Sequence, residues 1–290
     1  MLKKIYLAPI SEYTNRPFRE LCKKYGAEFT FAPLINTTLV LQTKDKNIAK
    51  YLDFKKEKKV GIQLFGAKPE EFPKAIERIS QFEKINWIDI NAGCPMPKIT
   101  RIGAGSKLLK NQDKLIEILN SIQKFDGIKS IKIRTLHSEK ETLELVKKIA
   151  PLVDVIIVHG RTEPQRYAGN ANWNIIKEIN ENFENFIIGN GDIKTVKEGK
   201  EKIKNNFCDG FMIGREGMKN PWLFSNKEPN QKKIFFEYYK LYKKYKLENP
   251  NDLKQKAMQF FHNIKDASKT RTNIGIMKKE EEIVNYIKEM

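Results

Sequence analysis

The sequence is short of the features that mark secreted, membrane-spanning and disordered proteins. Its 290 residues include only three cysteines, an odd and sparse set that argues against a disulfide framework and for a reducing compartment. No apolar run approaches the roughly 18 residues that a membrane-spanning helix needs, and the apolar stretch from Ile5 to Ile10 is too short for a secretory signal. These absences predict a cytoplasmic globular protein with no membrane partner.

Charge is present in excess and of one sign. Lysine and arginine number 54 against 36 aspartate and glutamate, which gives a formal net charge of +18. Such an excess favours a polyanionic partner, because basic side chains that neutralise phosphates release counterions and gain affinity. A compositional bias towards Lys, Ile and Asn explains the same excess, and mixed runs such as Lys55–Lys59 are typical of solvated faces. Charge alone leaves both interpretations open.

Eight short runs rich in β-branched and aromatic residues recur about every 29 residues, which is the size of one strand–helix unit. Most are almost continuously apolar, as parallel strands covered on both faces are. The runs are Ile5–Ile10, Phe29–Leu34, Val60–Phe65, Trp87–Ala92, Ser130–Thr135, Val155–Gly160, Phe186–Gly191 and Gly210–Arg215. Helical segments between them are predicted at Pro69–Phe82, Asp113–Phe125, Glu139–Ile149, Asn174–Asn182 and Thr195–Asn205.

Eight such units predict a (β/α)8 TIM barrel, an α/β fold. The competing architecture is an open doubly wound sheet, which usually has fewer strands and a glycine-rich turn after the first. Here the first strand is followed by Ser11–Pro17, a segment without glycine. The barrel is therefore the predicted fold.

The residue composition and spacing change after the eighth unit. Glu228–Asn230 has the composition of a linker, and aromatic residues then recur at helical spacing from Phe235 to Tyr245. We therefore predict a catalytic barrel over residues 1–225 and a small all-helical domain over residues 226–290. The aromatic stripe is expected to pack in the helical core rather than to stack on nucleic-acid bases.

Polar residues lie at the carboxyl ends of six of the eight predicted strands. Buried strands disfavour such side chains, which cost several kcal/mol unless they are satisfied. In an eightfold barrel the active site lies at this end of the strands. The residues are Gln63, Asn91, Lys132, Arg134, His159, Arg161, Asn190 and Arg215. They predict one convergent polar site.

The last two strand ends favour a phosphorylated ligand. In TIM barrels phosphate groups commonly bind to the loops after strands seven and eight. Here these loops carry Asn190-Gly191-Asp192 and Gly214-Arg215. Their glycines allow backbone N–H groups to approach a phosphate, and the guanidinium is a cationic donor. The alternative is that the glycines only form turns and that Arg215 forms a surface ion pair.

Cys94 differs from the other two cysteines because it lies on a Gly-Cys-Pro turn at the mouth of the predicted barrel. A thiol is mostly protonated at neutral pH and can serve as a general acid. Cys22 and Cys208 are expected to be inert core residues. No second cysteine or closely spaced histidine pair accompanies Cys94, so no metal is expected.

Taken together, these residues resemble the tRNA-dihydrouridine synthase family. The resemblance spans the whole barrel in the same order, and its most specific run is Asp89–Pro95. It departs after Pro9, where Ile10-Ser11-Glu12-Tyr13 replaces the family's usual Met and small-residue turn. The other matching segments are Ala8-Pro9, Arg16–Arg19, Gly61–Gly66, Gly105-Ser106, Leu108-Leu109, Lys132–Arg134, His159–Thr162, Asn190–Ile193 and Met212–Arg215.

The resemblance implies an FMN enzyme that uses NADPH to reduce the 5,6 double bond of specific uridines in tRNA, with Cys94 as the proton donor. It implies that Lys132 stabilises the reduced flavin and that Asn91, Arg134 and Arg161 hold the uracil or neighbouring phosphates. It also implies that the helical domain clamps the tRNA. The implied FMN contacts are Pro9, Ile10, Ser11, Gln63, Lys132, His159, Asn190, Gly191, Asp192, Gly214 and Arg215.

Two other functions remain open. A flavin barrel that reduces a free small molecule, similar to the dihydroorotate dehydrogenases, explains the phosphate site but not the charge excess or the helical appendage. A non-catalytic RNA-binding protein explains the charge but not the polar strand ends. No protein partner is implied, and a monomer is expected.

Overall fold

A computed structural model describes residues 2–45, 47–48, 52–225 and 230–290 of the chain. All pairings between its strands are parallel, and the sheet closes because β1 pairs with β2 and β9 while β2 also pairs with β4. The predicted barrel is therefore confirmed. The strands are β1 (Ile5–Leu7), β2 (Phe29–Phe31), β3 (Ile35–Asn36), β4 (Val60–Phe65), β5 (Trp87–Ala92), β6 (Ile128–Arg134), β7 (Val155–His159), β8 (Phe186–Asn190) and β9 (Gly210–Ile213).

One predicted strand is shorter than expected, and a second short strand follows it. The run Phe29–Leu34 was expected to be continuous, but β2 ends at Phe31 and the chain pairs with β4 again only at Ile35. Pro33 lies between the two segments and has no N–H to donate to the neighbouring strand. The short β3 thus continues the position of β2 along the upper half of β4.

Helices cover the outside of the barrel close to their predicted positions. The helix Glu139–Ile149 begins and ends as predicted, and Ser138 and Glu141 form a capping box at its start. The helices around the barrel are α1 (Arg16–Tyr25), α2 (Thr37–Gln42), α3 (Glu71–Ser80), α4 (Pro97–Thr100), α5 (Gln112–Ser121), α6 (Glu139–Ile149), α7 (Trp173–Asn182), α8 (Val196–Lys204) and α9 (Arg215–Lys219).

Alternating residues of each strand point into the barrel, and their character changes along its axis. At the amino-terminal end the interior is apolar and contains a cluster with Tyr6, Trp87 and Val155. Further along the same strands polar side chains appear: Trp87 is followed by Asp89 and Asn91, and on β7 the apolar Val155 and Ile157 are followed by His159. The apolar cluster fills the floor of the barrel, and the large cavity lies at the carboxyl end.

Within residues 230–290, four helices follow the barrel: α10 (Gln231–Lys244), α11 (Pro250–Phe260), α12 (Ala267–Ile276) and α13 (Glu280–Glu289). Helix α10 packs on α1, and α11 packs on α9. Phe235, Tyr238 and Tyr242 of the aromatic stripe are buried, so the stripe forms the helical core as expected. The predicted domain boundary after residue 225 and residues 228–229 of the predicted linker lie next to or among residues 226–229, which are outside the described residues; the last linker residue, Asn230, caps α10.

Candidate functional site

The open end of the barrel holds a cavity of about 900 Å³, within the range of small-molecule binding sites. Its walls come from the carboxyl ends of the strands and the loops after them. All the candidate site residues named from the sequence line this one cavity: Pro9, Ile10, Ser11, Gln63, Asn91, Cys94, Lys132, Arg134, His159, Arg161, Asn190, Gly191, Asp192, Gly214 and Arg215. The structure brings them together, while the role of each remains a prediction.

The turn that carries Cys94 is held by backbone contacts. The side-chain oxygen of Asn91 accepts hydrogen bonds from the N–H groups of Gly93 (3.3 Å) and Cys94 (3.0 Å). The carbonyl of Cys94 accepts from the N–H of Ser106 at 3.0 Å. Gly105 has a φ of +61°, and a Cβ there would lie 2.5 Å from the Cys94 carbonyl oxygen, so that position requires glycine. The cysteine is therefore held at the cavity wall.

The Cys94 thiol is half-buried, and burial raises its pKa. Arg134, Lys132 and Lys98 act in the opposite direction, because nearby positive charge favours a thiolate, but burial outweighs them. The side chain is accordingly a protonated thiol at neutral pH. It can donate a proton to a group in the cavity.

Lys132 is a partly buried cation that points into the same cavity. Its ammonium donates to Asn190 Oδ1 at 3.0 Å, and the amide of Asn190 donates in turn to the Met212 carbonyl at 2.8 Å. Withdrawal from bulk water and the nearby Arg134 lower the pKa of Lys132 to about 8. Its neighbour His159 is neutral, because burial and then Lys132 and the surrounding arginines lower its pKa to about 2.

Arg134 and Arg161 are both buried, and they brace the loops of the site. Arg134 donates to the carbonyls of Gly93 (2.8 Å) and Thr162 (3.0 Å), so it joins the cysteine turn to the loop after β7. Arg161 donates to both carboxylate oxygens of Asp192 at 2.7 Å. If these arginines contact the substrate as predicted, they would do so through guanidinium N–H groups that are not used in these hydrogen bonds.

The loops after β8 and β9 form the side of the cavity assigned to phosphate. Gly191 has a φ of +126°, and a Cβ there would lie 2.6 Å from Ala171, so only glycine fits. Asp192 binds Arg161 and also lies 3.4 Å from the guanidinium of Arg215. Arg215 is about half exposed and lines the cavity.

Sequence analysis gave no individual role to two residues in or beneath the site. The first is Tyr167, whose ring lies under the guanidinium of Arg215 at 4.5 Å and within 5.9 Å of that of Arg134. It lies in a loop where no periodic pattern marks it. The second is Asp89 in the middle of β5, fully buried among hydrogen-bonding side chains. A carboxylate inside an apolar strand was the available signal.

The family model for dihydrouridine synthase (Dus) matches residues 6–290 of the chain. The chain belongs to the dihydrouridine synthase family. A protein named probable tRNA-dihydrouridine synthase from Helicobacter pylori is 32% identical over 237 residues, which cover 80% of this chain and 72% of that protein. The tRNA-dihydrouridine synthase B of Pasteurella multocida is 33% identical over 225 residues, which cover 76% of this chain and 68% of that protein.

Solved structures agree on the fold of this dihydrouridine synthase family member. Histamine dehydrogenase from Rhizobium sp. 4-9 superposes with a TM-score of 0.58 at 12% identity, over 76% of this chain and 45% of that one. A 2-naphthoyl-CoA reductase superposes with a TM-score of 0.57 at 11% identity, over 76% and 49% of the two chains. At these identities the likeness concerns the barrel alone.

The described part of the chain contains no candidate membrane span and no candidate metal site. None of the helices in that part of the chain is both long and apolar enough to cross a bilayer. Within the same residues, histidine, cysteine, aspartate and glutamate side chains form no group of three that could hold a metal ion.

Proposed function

We propose that this protein is a tRNA-dihydrouridine synthase that reduces the C5–C6 double bond of uracil in tRNA, with FMN as cofactor and NADPH as reductant. The observation that carries the proposal is the joint position of the Cys94 thiol and the Lys132 ammonium on the wall of one cavity. Both the family and the names of the curated relatives support the same activity.

The donor set of the cavity suits a flavin phosphate. Neither Lys132 nor Arg134 forms an ion pair with a carboxylate of the described residues, so the cavity wall carries positive charge that an acceptor-rich ligand would balance. Lys132, Gln63 and His159 would hold the ring system and its chain, with Pro9, Ile10 and Ser11 on the β1 side. The backbone at Asn190, Gly191 and Gly214 and the guanidinium of Arg215 would hold the phosphate, and Asp192 would keep these loops in place.

When bound, FMN supplies the hydride that saturates the uracil double bond, and NADPH supplies its electrons. The second hydrogen must arrive as a proton, and Cys94 would donate it from Sγ to uracil C5. Burial keeps the thiol protonated before the step. Lys132 would stabilise negative charge next to it, because a cation placed in advance costs no reorganisation at the moment of reaction.

The substrate must be unstacked before it can enter the cavity. Flipping a base out of folded RNA costs a few kcal/mol, and contacts with the backbone phosphates offset that cost. The net charge of +18 would supply such contacts. We propose that Asn91, Arg134 and Arg161 hold the flipped uracil or its phosphates, that residues 1–225 bind FMN and that the helices beyond the barrel bind tRNA. A tRNA substrate would place the protein in the cytoplasm.

The test is reconstitution with purified protein, FMN, NADPH and tRNA from cells that lack the enzyme. We expect dihydrouridine at defined positions by mass mapping and a flavin absorption band in the protein. We also expect the logarithm of tRNA affinity to fall with the logarithm of salt at about 0.7 per neutralised phosphate. Reduction of free uridine as fast as tRNA would instead identify a small-molecule reductase, and a colourless protein that still binds tRNA would identify a binding protein.

A further inference from the structure

Below the cavity, a line of hydrogen bonds runs inside the barrel from its floor to the cysteine turn. Asp89 is its centre and is fully buried. One carboxylate oxygen accepts from the Ser130 hydroxyl and the other from Gln63 Nε2, both at 2.6 Å. Gln63 Oε1 accepts from Asn91 Nδ2 at 2.7 Å. Asn91 Oδ1 then accepts from the N–H groups of Gly93 and Cys94.

The direction of every bond in this line is determined by its two ends. At the upper end, the N–H of Cys94 can only donate, so the oxygen of Asn91 must face it and the amide nitrogen must face Gln63. Gln63 must then present its oxygen upward and its nitrogen downward. At the lower end an ionised carboxylate can only accept, which matches the downward nitrogen. The two amides have one arrangement that satisfies both ends.

The burial of Asp89 is costly, which argues that the carboxylate serves a purpose there. Burial raises the pKa of Asp89 to about 6, although Ser130, Gln63 and the nearby Lys132 favour its ionised form. An apolar residue of similar size would avoid this cost and would extend the apolar floor formed around Trp87. It would also leave the Gln63 amide without an acceptor.

We propose that Asp89 is a positioning residue for Cys94: its carboxylate orients the amides of Gln63 and Asn91 and thereby holds the turn that carries the thiol. The inference rests on the proposed role of Cys94 as proton donor. Asp89 itself lies two hydrogen-bonded side chains away from Cys94 and does not line the cavity. Asp89 contributes by providing a hydrogen-bond acceptor for the Gln63 amide at a fixed position.

Substitutions can remove the hydrogen bond on either side of Asp89. Comparing them distinguishes an effect on the position of Cys94 from a general effect on folding. Ser130 joins Asp89 to the indole of Trp87 on the barrel floor, at 2.8 Å from Nε1, and leads away from Cys94. Ser130→Ala therefore removes a buried hydrogen bond to the same carboxylate without breaking the path upward. Asp89→Leu breaks that path, whereas Asp89→Asn keeps an oxygen for Gln63 and removes only the charge.

The experiment compares these three holoenzymes with the wild type by two measurements. The first is the rate of Cys94 alkylation by iodoacetamide between pH 7 and 10, located by peptide mass spectrometry; Cys22 and Cys208 are buried and serve as internal references. The second is kcat and KM for dihydrouridine formation in tRNA. Because alkylation needs no substrate, it tests the position of the thiol even if the protein acts on something other than tRNA.

For Asp89→Leu we expect Cys94 to be alkylated about fivefold faster, because a released turn exposes the thiol, with the pH profile shifted towards an ordinary thiol. We expect kcat to fall by about 10- to 100-fold with little change in KM, since misplacement by about 1 Å can have that effect. Asp89→Asn and Ser130→Ala should remain within about twofold of the wild type in both measurements.

Asp89→Ser, whose hydroxyl is too short to reach Gln63, makes the same prediction and replaces the leucine variant if that one does not fold. Unchanged or slower Cys94 alkylation in a folded Asp89→Leu or Asp89→Ser protein overturns the proposal. So does a Ser130→Ala protein that loses as much kcat as the variants of Asp89. A loss in Asp89→Asn also overturns it, because the charge rather than the acceptor would then be responsible.

Discussion

Two regions of this protein shield a lysine from bulk water, one at the barrel mouth and one where the barrel meets the C-terminal helices. At this junction, Lys256 is fully buried, donates to Asp252 at 2.9 Å and lies 3.7 Å from the centre of the Tyr13 ring. Asp252 also accepts from Asn15 of the barrel. Here the charge is matched by a carboxylate of the same helix, α11, while the contacts with Tyr13 and Asn15 join that helix to the barrel.

At the mouth, Lys132 donates to the neutral amide of Asn190 and forms no ion pair with the described carboxylates. The buried Arg134 beside it donates only to backbone carbonyls. From this difference we infer that a buried charge with an ion-pair partner stabilises the fold. Buried cations without such a partner lower stability, and we expect a bound ligand to supply the missing acceptors. Changes at the junction should therefore affect stability, and changes at the mouth should affect binding and chemistry.

The largest expected effect is the loss of activity when the cysteine at the mouth, Cys94, is replaced, in contrast to the cysteine at the junction, Cys22. Cys94→Ala should reduce dihydrouridine formation by about 10²- to 10⁴-fold, the usual contribution of a general acid, while flavin content, tRNA affinity and stability stay as they are. Its matched control is Cys22→Ala, buried in α1 close to Lys256, which should lower stability and leave turnover intact. Single-turnover assays with mass analysis of the tRNA measure the activity of both variants, and denaturant unfolding measures their stability. Normal turnover in Cys94→Ala would remove the proposed proton donor.

The second prediction compares the stability of the protein after each of the two lysines is replaced by methionine. Lys256→Met should cost about 3–5 kcal/mol of unfolding free energy, because it leaves the buried Asp252 carboxylate without its counter-charge. Lys132→Met should leave the ligand-free protein equally stable or more stable, and should abolish activity. Denaturant unfolding of both variants provides the measurement. Equal losses of stability at the two positions would contradict the distinction between matched and unmatched charge.

The mouth was easier to predict from the sequence than the junction. In a parallel barrel all the strands end at the same rim, so Gln63, Lys132 and His159 could be brought together from their place in each strand alone. The early end of the second strand at Phe31 was not predicted, because apolar residues on both sides of Pro33 make the run look continuous. The proline itself was the available signal.

The contacts of Tyr167 and Lys256 could not be predicted because they depend on how distant segments pack. Tyr167 lies in an irregular loop, and its position under Arg215 follows from the path of that loop. Lys256 is one of many lysines in a helix, and nothing in its spacing distinguishes it from a solvated one. Its burial depends on Tyr13 and Asn15, more than 230 residues away along the chain.

A smaller effect concerns pH and the unmatched lysine. In the folded protein the pKa of Lys132 is about 8, below the ordinary value of 10.5, so the unfolded chain binds more protons between these two pH values. The unfolding free energy of the ligand-free protein should therefore rise with pH across this window, by on the order of 1–2 kcal/mol after allowance for solvent in the cavity. Lys132→Met should lack this rise. If the difference in unfolding free energy between the two proteins does not change from pH 8 to 10.5, the pKa of Lys132 is not lowered in the folded protein.

The smallest expected effect tests the exposed edge of the mouth, where Arg215 faces the proposed phosphate. Because about half of its side chain is exposed and its distance to Asp192 is 3.4 Å, Arg215→Ala should barely change the stability of the flavin-free protein. Loss of a charge-assisted contact should nevertheless weaken FMN binding about tenfold, seen as a lower flavin-to-protein ratio after gel filtration. Lys197→Ala, an exposed cation on α8 outside the cavity, is the matched control and should keep its flavin. An unchanged ratio in Arg215→Ala would mean that the backbone of the neighbouring loops, rather than this guanidinium, binds the phosphate.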